Sequence, residues 1–447
     1  MSNVIVIGGG AAGMMAAYTA ASNGHNVRLI EKNEKLGKKI YITGKGRCNF
    51  TNACDFDTFI NNIVSNPRFM YSSGRAFTSQ DMVDFLENAG CRTKIERGNR
   101  AFPASDHASD VTKALERKMK EAGVRVDLNT EVKKITSLPA GGFTVLVSDT
   151  NRRESGKRAA AHGAELHAGA VIVCTGGLSY PSTGSTGDGY RFAKDAGLDV
   201  RACSPSLCPL TVAETDYEEL QGVSLKNITL TVRECPDCKT ADETALVNEG
   251  KKSNRNRKKN GLIMESEPGE LLFTHFGLSG PLILSASALI TGGLTEGRHY
   301  ELIIDLKPGL TGEMLDERIL RDFEGAQNQQ VVNALGKLLI SALRPAILKR
   351  AGIAPETKVR DITKEQRLKL VGAVKHLIFH VTGTRGYNEA VITQGGVRVS
   401  EIDPKTMEAR NCPGLYFAGE VLDVDAYTGG FNLQIAWSTG HAAGAAV

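Results

Sequence analysis

An α/β fold, with a sheet built from both chain ends and barrel-like and helical segments inserted between them, is the class the sequence predicts. Three observations carry it. A short β-branched run, Asn3–Ile7, leads into a glycine turn and then an Ala- and Met-rich helix reaching Ser22. Apolar runs that end in glycine recur at 170–177 and 415–419. From about residue 200 to Val374 the texture changes, first to alternating strands and then to apolar positions at the 3.6 period of helices.

Taken in order, Asn3–Ile7, the helix to Ser22 and Asn26–Ile30 form a β-turn-α-β unit of about 30 residues. Residues 81–89 and 108–122 read as helices, and Arg125–Leu128 and Phe143–Val147 as strands. AVIVCTGG at 170–177 is a buried strand running into glycines. LTVAET, LKNITLTVRE and HYELIIDLK read as antiparallel strands, and EMLDERILRDF, QVVNALGKLLISAL and KEQRLKLVGAVKHL as helices. HLIFHVTG, AVITQGGV and GLYFAGEVLD return to strand texture before a final helix from Asn432. The expected division is a discontinuous nucleotide-binding domain at 1–195 and 384–447. A barrel-like insert is expected at 196–307 and 375–383, and a helical insert at 308–374.

Composition narrows the class. Glycine takes 48 of 447 positions, above the usual share of about 7%, while proline takes only 14. With no G-X-Y period, this pattern excludes collagen and points to turns where backbone comes close to something. The formal charge of +4 argues for neither nucleic acid nor membrane. Nine scattered cysteines do not form a disulfide framework, and the chain opens on an apolar run without a basic leader. A soluble cytoplasmic protein is the expectation.

Gly8-x-Gly10-x-x-Gly13 lies between predicted strand and helix, and Glu31 closes the next strand. This is the dinucleotide fingerprint of a Rossmann-like domain. The first glycine makes the turn, the second admits a pyrophosphate, and the third lets the helix pack on the sheet. Ala11 and Ala12 open the helix, whose N-terminus stabilises phosphate charge. Glu31, beside Lys32, is placed to accept hydrogen bonds from ribose hydroxyls. The fingerprint alone does not separate NAD from FAD. At the other end, strand Leu415–Ala418 leads into Gly419-Glu420, with Asp423 three residues on. Gly429-Gly430 then precede a helix that opens with Phe431, Asn432 and Leu433. Flavoproteins of the glutathione-reductase type have a similar late strand, whose acid holds the ribityl chain and whose helix N-terminus faces the flavin pyrimidine ring. FAD is therefore the expected cofactor. No second GxGxxG is present for a resident NAD(P)H, which would serve only as a transient electron donor.

Five blocks carry a wider resemblance: EKNEKLGKKIYITGKGRCNFTN (31–52), ERGNRAFPASDHASDV (96–111), VIVCTGGLSYPSTGSTGDGY (171–190), GELLFTHFGLSGP (269–281) and GEVLDVDAYTGGFNLQIAWSTG near the C-terminus. Together they resemble the YhiN-like flavoproteins, often called aminoacetone oxidase family FAD-binding enzymes. The resemblance spans residues 3–444. It implies a discontinuous FAD domain with an inserted β-barrel and a helical bundle. It also implies that Arg47, Cys48 and Asn49 line the flavin region, that Thr175 and Gly176, followed by Gly177, lie on the pyrophosphate side, and that Val132 contacts adenine through its backbone. Where the family commonly has GGGRCN, this chain has Gly44-Lys45-Gly46-Arg47-Cys48-Asn49, which places an extra positive charge beside the expected flavin. Gly44 and Gly46 permit close backbone approach, and Arg47 offers a fork for phosphate or the flavin carbonyl edge.

Other constellations carry less. Cys235-Pro-Asp-Cys238, with Cys203 and Cys208 upstream, has poor spacing for zinc and no thioredoxin-like context, so incidental thiols are expected and no metal. Of His275, His376 and His380, only His275 sits in a family-specific block, as a candidate proton donor or substrate contact. With it, Arg47 and Cys48 complete the candidate catalytic set. The run 251–259 holds six cations and no acid. It reads as a solvated loop, with a phosphate-tracking RNA arm as the sharper alternative.

The sequence thus predicts an FAD-dependent oxidoreductase with non-covalent flavin and hydride transfer between substrate and flavin N5. Two substrates stay open, a small amine or aminoketone to be oxidised, or a base in ribosomal RNA to be reduced with NAD(P)H, forming dihydrouridine. A flavin-binding redox sensor is the non-enzymatic alternative.

Overall fold

The computed structural model describes residues 2–150, 163–235 and 261–447. The chain forms two compact units, Met1–Ser206 with Gly386–Val447, and Leu207–Arg385.

The first unit is organised by a sheet of five parallel strands. They are β1 (Asn3–Ile7), β2 (Asn26–Ile30), β3 (Arg125–Asp127), β4 (Ala170–Val173) and β5 (Leu415–Phe417), in the order β5-β4-β1-β2-β3. The inner strands are continuous apolar runs because both faces are covered: Val4–Ile7 and Ala170–Val173 are buried throughout. Helix α1 (Ala11–Ser22) follows β1, and α2 (Phe431–Ala446) follows β5. The two helices meet through small residues. A Cβ on Gly440 would stand 2.4 Å from the Ala12 carbonyl oxygen, and one on Gly444 2.4 Å from that of Ala16. Trp437 of α2 is fully buried and donates its indole N–H to the Phe50 carbonyl at 2.8 Å. Three smaller sheets complete the unit. They are 51–52 with 93–96 and 100–103, 130–137 with 143–149 and 164–168, and 200–206 with 392–397.

In the second unit six antiparallel strands close on themselves. Strand 210–212 pairs with 277–279, which pairs with 269–274, then 224–234, 300–305, 377–384 and back to 210–212. Closure leaves no free edge in the ring, and 262–265 adds to 224–234 outside it. Helices 312–324, 343–350 and 364–375 share one apolar core with these strands. The run read as a single helix from Gln330 to Leu343 is broken, with helix only at Val331–Ala334 and a tight turn at 335–337. Arg344 donates to the Leu339 carbonyl at 3.0 Å and the Val332 carbonyl at 3.5 Å, oxygens that a continuous helix would satisfy itself. Helix Pro281–Thr295 was not expected, since its apolar residues run around the whole circumference and give no period. Among the described residues no helix is long and apolar enough to cross a membrane.

Candidate functional site

The glycines of the first turn separate into two kinds. A Cβ on Gly8 (φ 101°) would lie 2.5 Å from the Cys174 carbonyl oxygen, and one on Gly13 only 1.8 Å from that of Gly8. Both are required by packing. Gly10 has an ordinary φ of −80°, and a Cβ there would meet nothing within 4 Å. It caps α1 without any side-chain cap, and the first turn carries no acid. The amides of Ala11, Ala12 and Gly13 thus open α1 beside free space, which suits them to an anion.

Glu31 is buried at the end of β2. Its carboxylate accepts from the Gly9 amide at 2.7 Å, the Asn33 amide at 2.8 Å and the Asn33 side chain at 2.7 Å. Lys32 turns to Thr186 and Asp188, both at 2.6 Å. Val132 is buried on strand 130–137, at an irregularity between Val132 and Lys134.

From the other chain end, Gly419 (φ 82°) sits against α1, where a Cβ would come 2.7 Å from the Ala12 methyl. Glu420 accepts from Lys39 Nζ at 2.6 Å, from the Thr393 amide at 2.9 Å and from the Ser179 hydroxyl. Gly176 and Gly177 lie beside it: a Cβ on Gly177 would be 3.0 Å from Glu420 Oε1. Asp423 is buried and faces Arg201 at 3.4 Å. Gly430 (φ 101°) caps α2 with no side-chain cap, pressed so closely on Thr51 that a Cβ would be 2.4 Å from its carbonyl. Asn432 pins the preceding loop, accepting from the Ala426 amide at 2.9 Å and donating to its carbonyl at 2.7 Å. Phe431 is buried, and Leu433 packs at the edge of the same core.

The loop 43–49 is the most contorted part of the unit. Gly44, Lys45, Gly46 and Cys48 all have left-handed backbone, with φ of 56°, 59°, 86° and 59°. Cys48 is fully buried, and burial pushes its thiol up to about 12, so it is a protonated core group at neutral pH. Arg47 lies over the Phe102 ring at 4.2 Å and donates through Nε to Asp106 at 2.8 Å; it also pairs with Glu96. Asn49 Oδ1 and Thr175 Oγ1 are buried and without a hydrogen-bond partner.

Orphaned buried polar atoms at Asn49 and Thr175, together with the uncapped α1 beside the open position at Gly10, fit a bound dinucleotide. Sequence reasoning missed Lys39, Ser179 and Thr393 around Glu420, and the buried Asp425. Lys39 and Glu420 are 381 positions apart, and no local pattern links them. His275 is exposed in the second unit, between strands 269–274 and 277–279. The basic run 251–259 and Cys238 lie outside the described residues. Cys235 is disulfide-bonded, which corrects the expectation of incidental thiols at that position. The other seven described cysteines form no disulfide. No cluster of three or more metal-binding side chains occurs among the described residues.

The family described as HI0933-like protein Rossmann domain matches residues 2–446. A 3-dehydro-bile acid delta(4,6)-reductase of Clostridium scindens is 30% identical over 449 residues, covering 100% of this chain and 99% of its own. Ribosomal RNA dihydrouridine synthases of Escherichia coli and Haemophilus influenzae are each 30% identical. They cover 98% and 99% of this chain, and 96% and 97% of their own.

Proposed function

Since the chain belongs to the HI0933-like family of Rossmann-domain flavoproteins, and is thereby a flavin-dependent oxidoreductase, we propose that it reduces a carbon–carbon double bond conjugated to a carbonyl. The substrate we assign is uridine in ribosomal RNA. One observation carries the reading: relatives 30% identical over essentially the whole chain carry two different names that describe one kind of bond. The C5=C6 bond of uracil is conjugated to the C4 carbonyl, and the Δ4,6 bonds of a 3-oxo bile acid are conjugated to the 3-carbonyl. Hydride adds at the carbon far from the carbonyl, and a proton follows at the near one. Two of the three relatives act on RNA by name, which favours uridine. Neither name describes oxidation of an amine.

FAD, when bound, would supply that hydride, having drawn it from a donor such as NAD(P)H. The chain's own part is to bind and orient. The first-turn amides of α1 would take the pyrophosphate, and Glu31 the adenosine ribose, exchanging its present backbone partners for hydroxyls. Asn49 and Thr175 would gain the partners they lack, and the uncapped start of α2 would offset negative charge on a reduced flavin.

The test is anaerobic. Protein loaded with FAD is reduced with NADPH and mixed with a uridine-containing ribosomal RNA fragment or, separately, a steroid Δ4,6-dien-3-one. Reoxidation of the flavin with dihydrouridine in the RNA is expected. Reoxidation by the dienone alone would move the substrate to small enones, and reoxidation by neither would end the reading.

A further inference from the structure

We propose that the face formed by strands 93–96 and 100–103 and the loop 43–47 grips the phosphate backbone of single-stranded RNA. Directly paired residues share a face of a sheet, so Lys94 opposite Phe102 and Glu96 opposite Arg100 lie on one side, with Arg92 in step with them. Arg47 stacks on Phe102, and a Cβ on Gly44 would be 3.3 Å from the same ring, so the loop lies over this side. Five cations, Lys45, Arg47, Arg92, Lys94 and Arg100, therefore meet two acids, Glu96 and Asp106.

Those acids are already engaged. Asp106 pairs with Arg47 at 2.6 Å and Lys94 at 2.7 Å, and Glu96 with Arg47 and with Lys94 at 3.7 Å. Lys45, Arg92 and Arg100 are exposed and form no ion pair among the described residues. Lys45 adds an independent sign. It stands between two glycines, in a left-handed conformation that glycine would adopt without strain, yet the position carries a cation. Several unneutralised charges spaced along a ribbon and a neighbouring loop suit a chain of phosphates better than a single carboxylate. The assignment rests on uridine in RNA being the substrate.

The FAD-loaded protein and the triple variant Lys45→Gly/Arg92→Gln/Arg100→Gln are titrated with a short single-stranded RNA by fluorescence anisotropy over a range of salt. One RNA contains uridines, and in a second every uridine is replaced by cytidine. Each lost phosphate contact reduces the slope of log K against log salt by about 0.7, so the triple variant is expected to lose about 2 from the wild-type slope on both RNAs. An unchanged slope, or a wild-type protein that binds neither RNA, overturns the inference. Dihydrouridine formed by the triple variant at saturating RNA would show, in that event, that the proposed reaction stands without this face.

Discussion

Lys45 and Asp425 show opposite ways in which a single residue is held against its preference. Left-handed backbone costs a side chain about 1–2 kcal/mol, partly offset because glycine gives up more freedom on folding. Lys45→Gly is therefore expected to stabilise the protein by about 1 kcal/mol, read from the midpoint of denaturant unfolding; a lower midpoint would mean Lys45 makes contacts that outweigh its backbone. Asp425 is fully buried. Ser65 hydrogen-bonds its carboxyl, while Ser206 and Gln394 reach Oδ2 only at 3.4 and 3.5 Å. Burial, with nearby Asp423 adding, raises the carboxyl from 3.8 to about 6. The native state thus holds a proton that the unfolded chain releases, so the contribution of this group to stability is fully present below pH 4 and is lost as pH rises from about 4 to about 6. The cost at neutral pH is on the order of 3 kcal/mol. Asp425→Asn is expected to flatten that part of the stability–pH curve. If the wild-type and variant curves stay parallel between pH 4 and 6, Asp425 is not the titrating group.

At the scale of elements, the βα turn contains its own control experiment. Gly10→Ala has room and an allowed φ, so folding should be unaffected while the added methyl enters the space before α1. FAD affinity is expected to fall at least tenfold with an unchanged circular dichroism spectrum. Gly13→Ala drives a Cβ to 1.8 Å from the Gly8 carbonyl and should destabilise the fold itself, by about 1–3 kcal/mol. Equal effects of the two substitutions on FAD binding and on stability would contradict this division. The same turn explains what was legible beforehand. Strand, glycine turn, helix and Glu31 lie within 31 residues, so their spacing encodes their geometry. Lys39 meets Glu420, and Arg47 meets Glu96 and Asp106, only after the chain has folded, and neither pairing leaves a local trace. Strands 93–96 and 100–103 escaped notice because TKIE and RAFP are four residues each, rich in charge and lacking a clear period. The family-specific block led to the expectation of a phosphate or flavin partner for Arg47, whereas the guanidinium in the folded chain touches a pair of carboxylates, Glu96 and Asp106.

At the scale of the whole molecule, the two units have separate cores. One apolar cluster runs from Val4 to Val447 through residues of the first unit alone, and the other joins residues between Leu210 and Val381. No side chain of either cluster belongs to the other unit, so each unit has the buried apolar surface that independent folding needs. The parallel sheet, α1, α2 and every glycine of the dinucleotide turn lie in the first. Replacing 207–385 with a flexible Gly-Ser linker is therefore expected to leave a protein that unfolds cooperatively and binds FAD, turning yellow on titration. FAD at one hundred times its dissociation constant should stabilise that fragment by about 2.7 kcal/mol, since it binds only the folded form. A fragment that folds without taking up FAD would assign part of the cofactor's binding energy to the excised residues. One that fails to fold would mean that the second core supports the first, despite sharing none of its side chains.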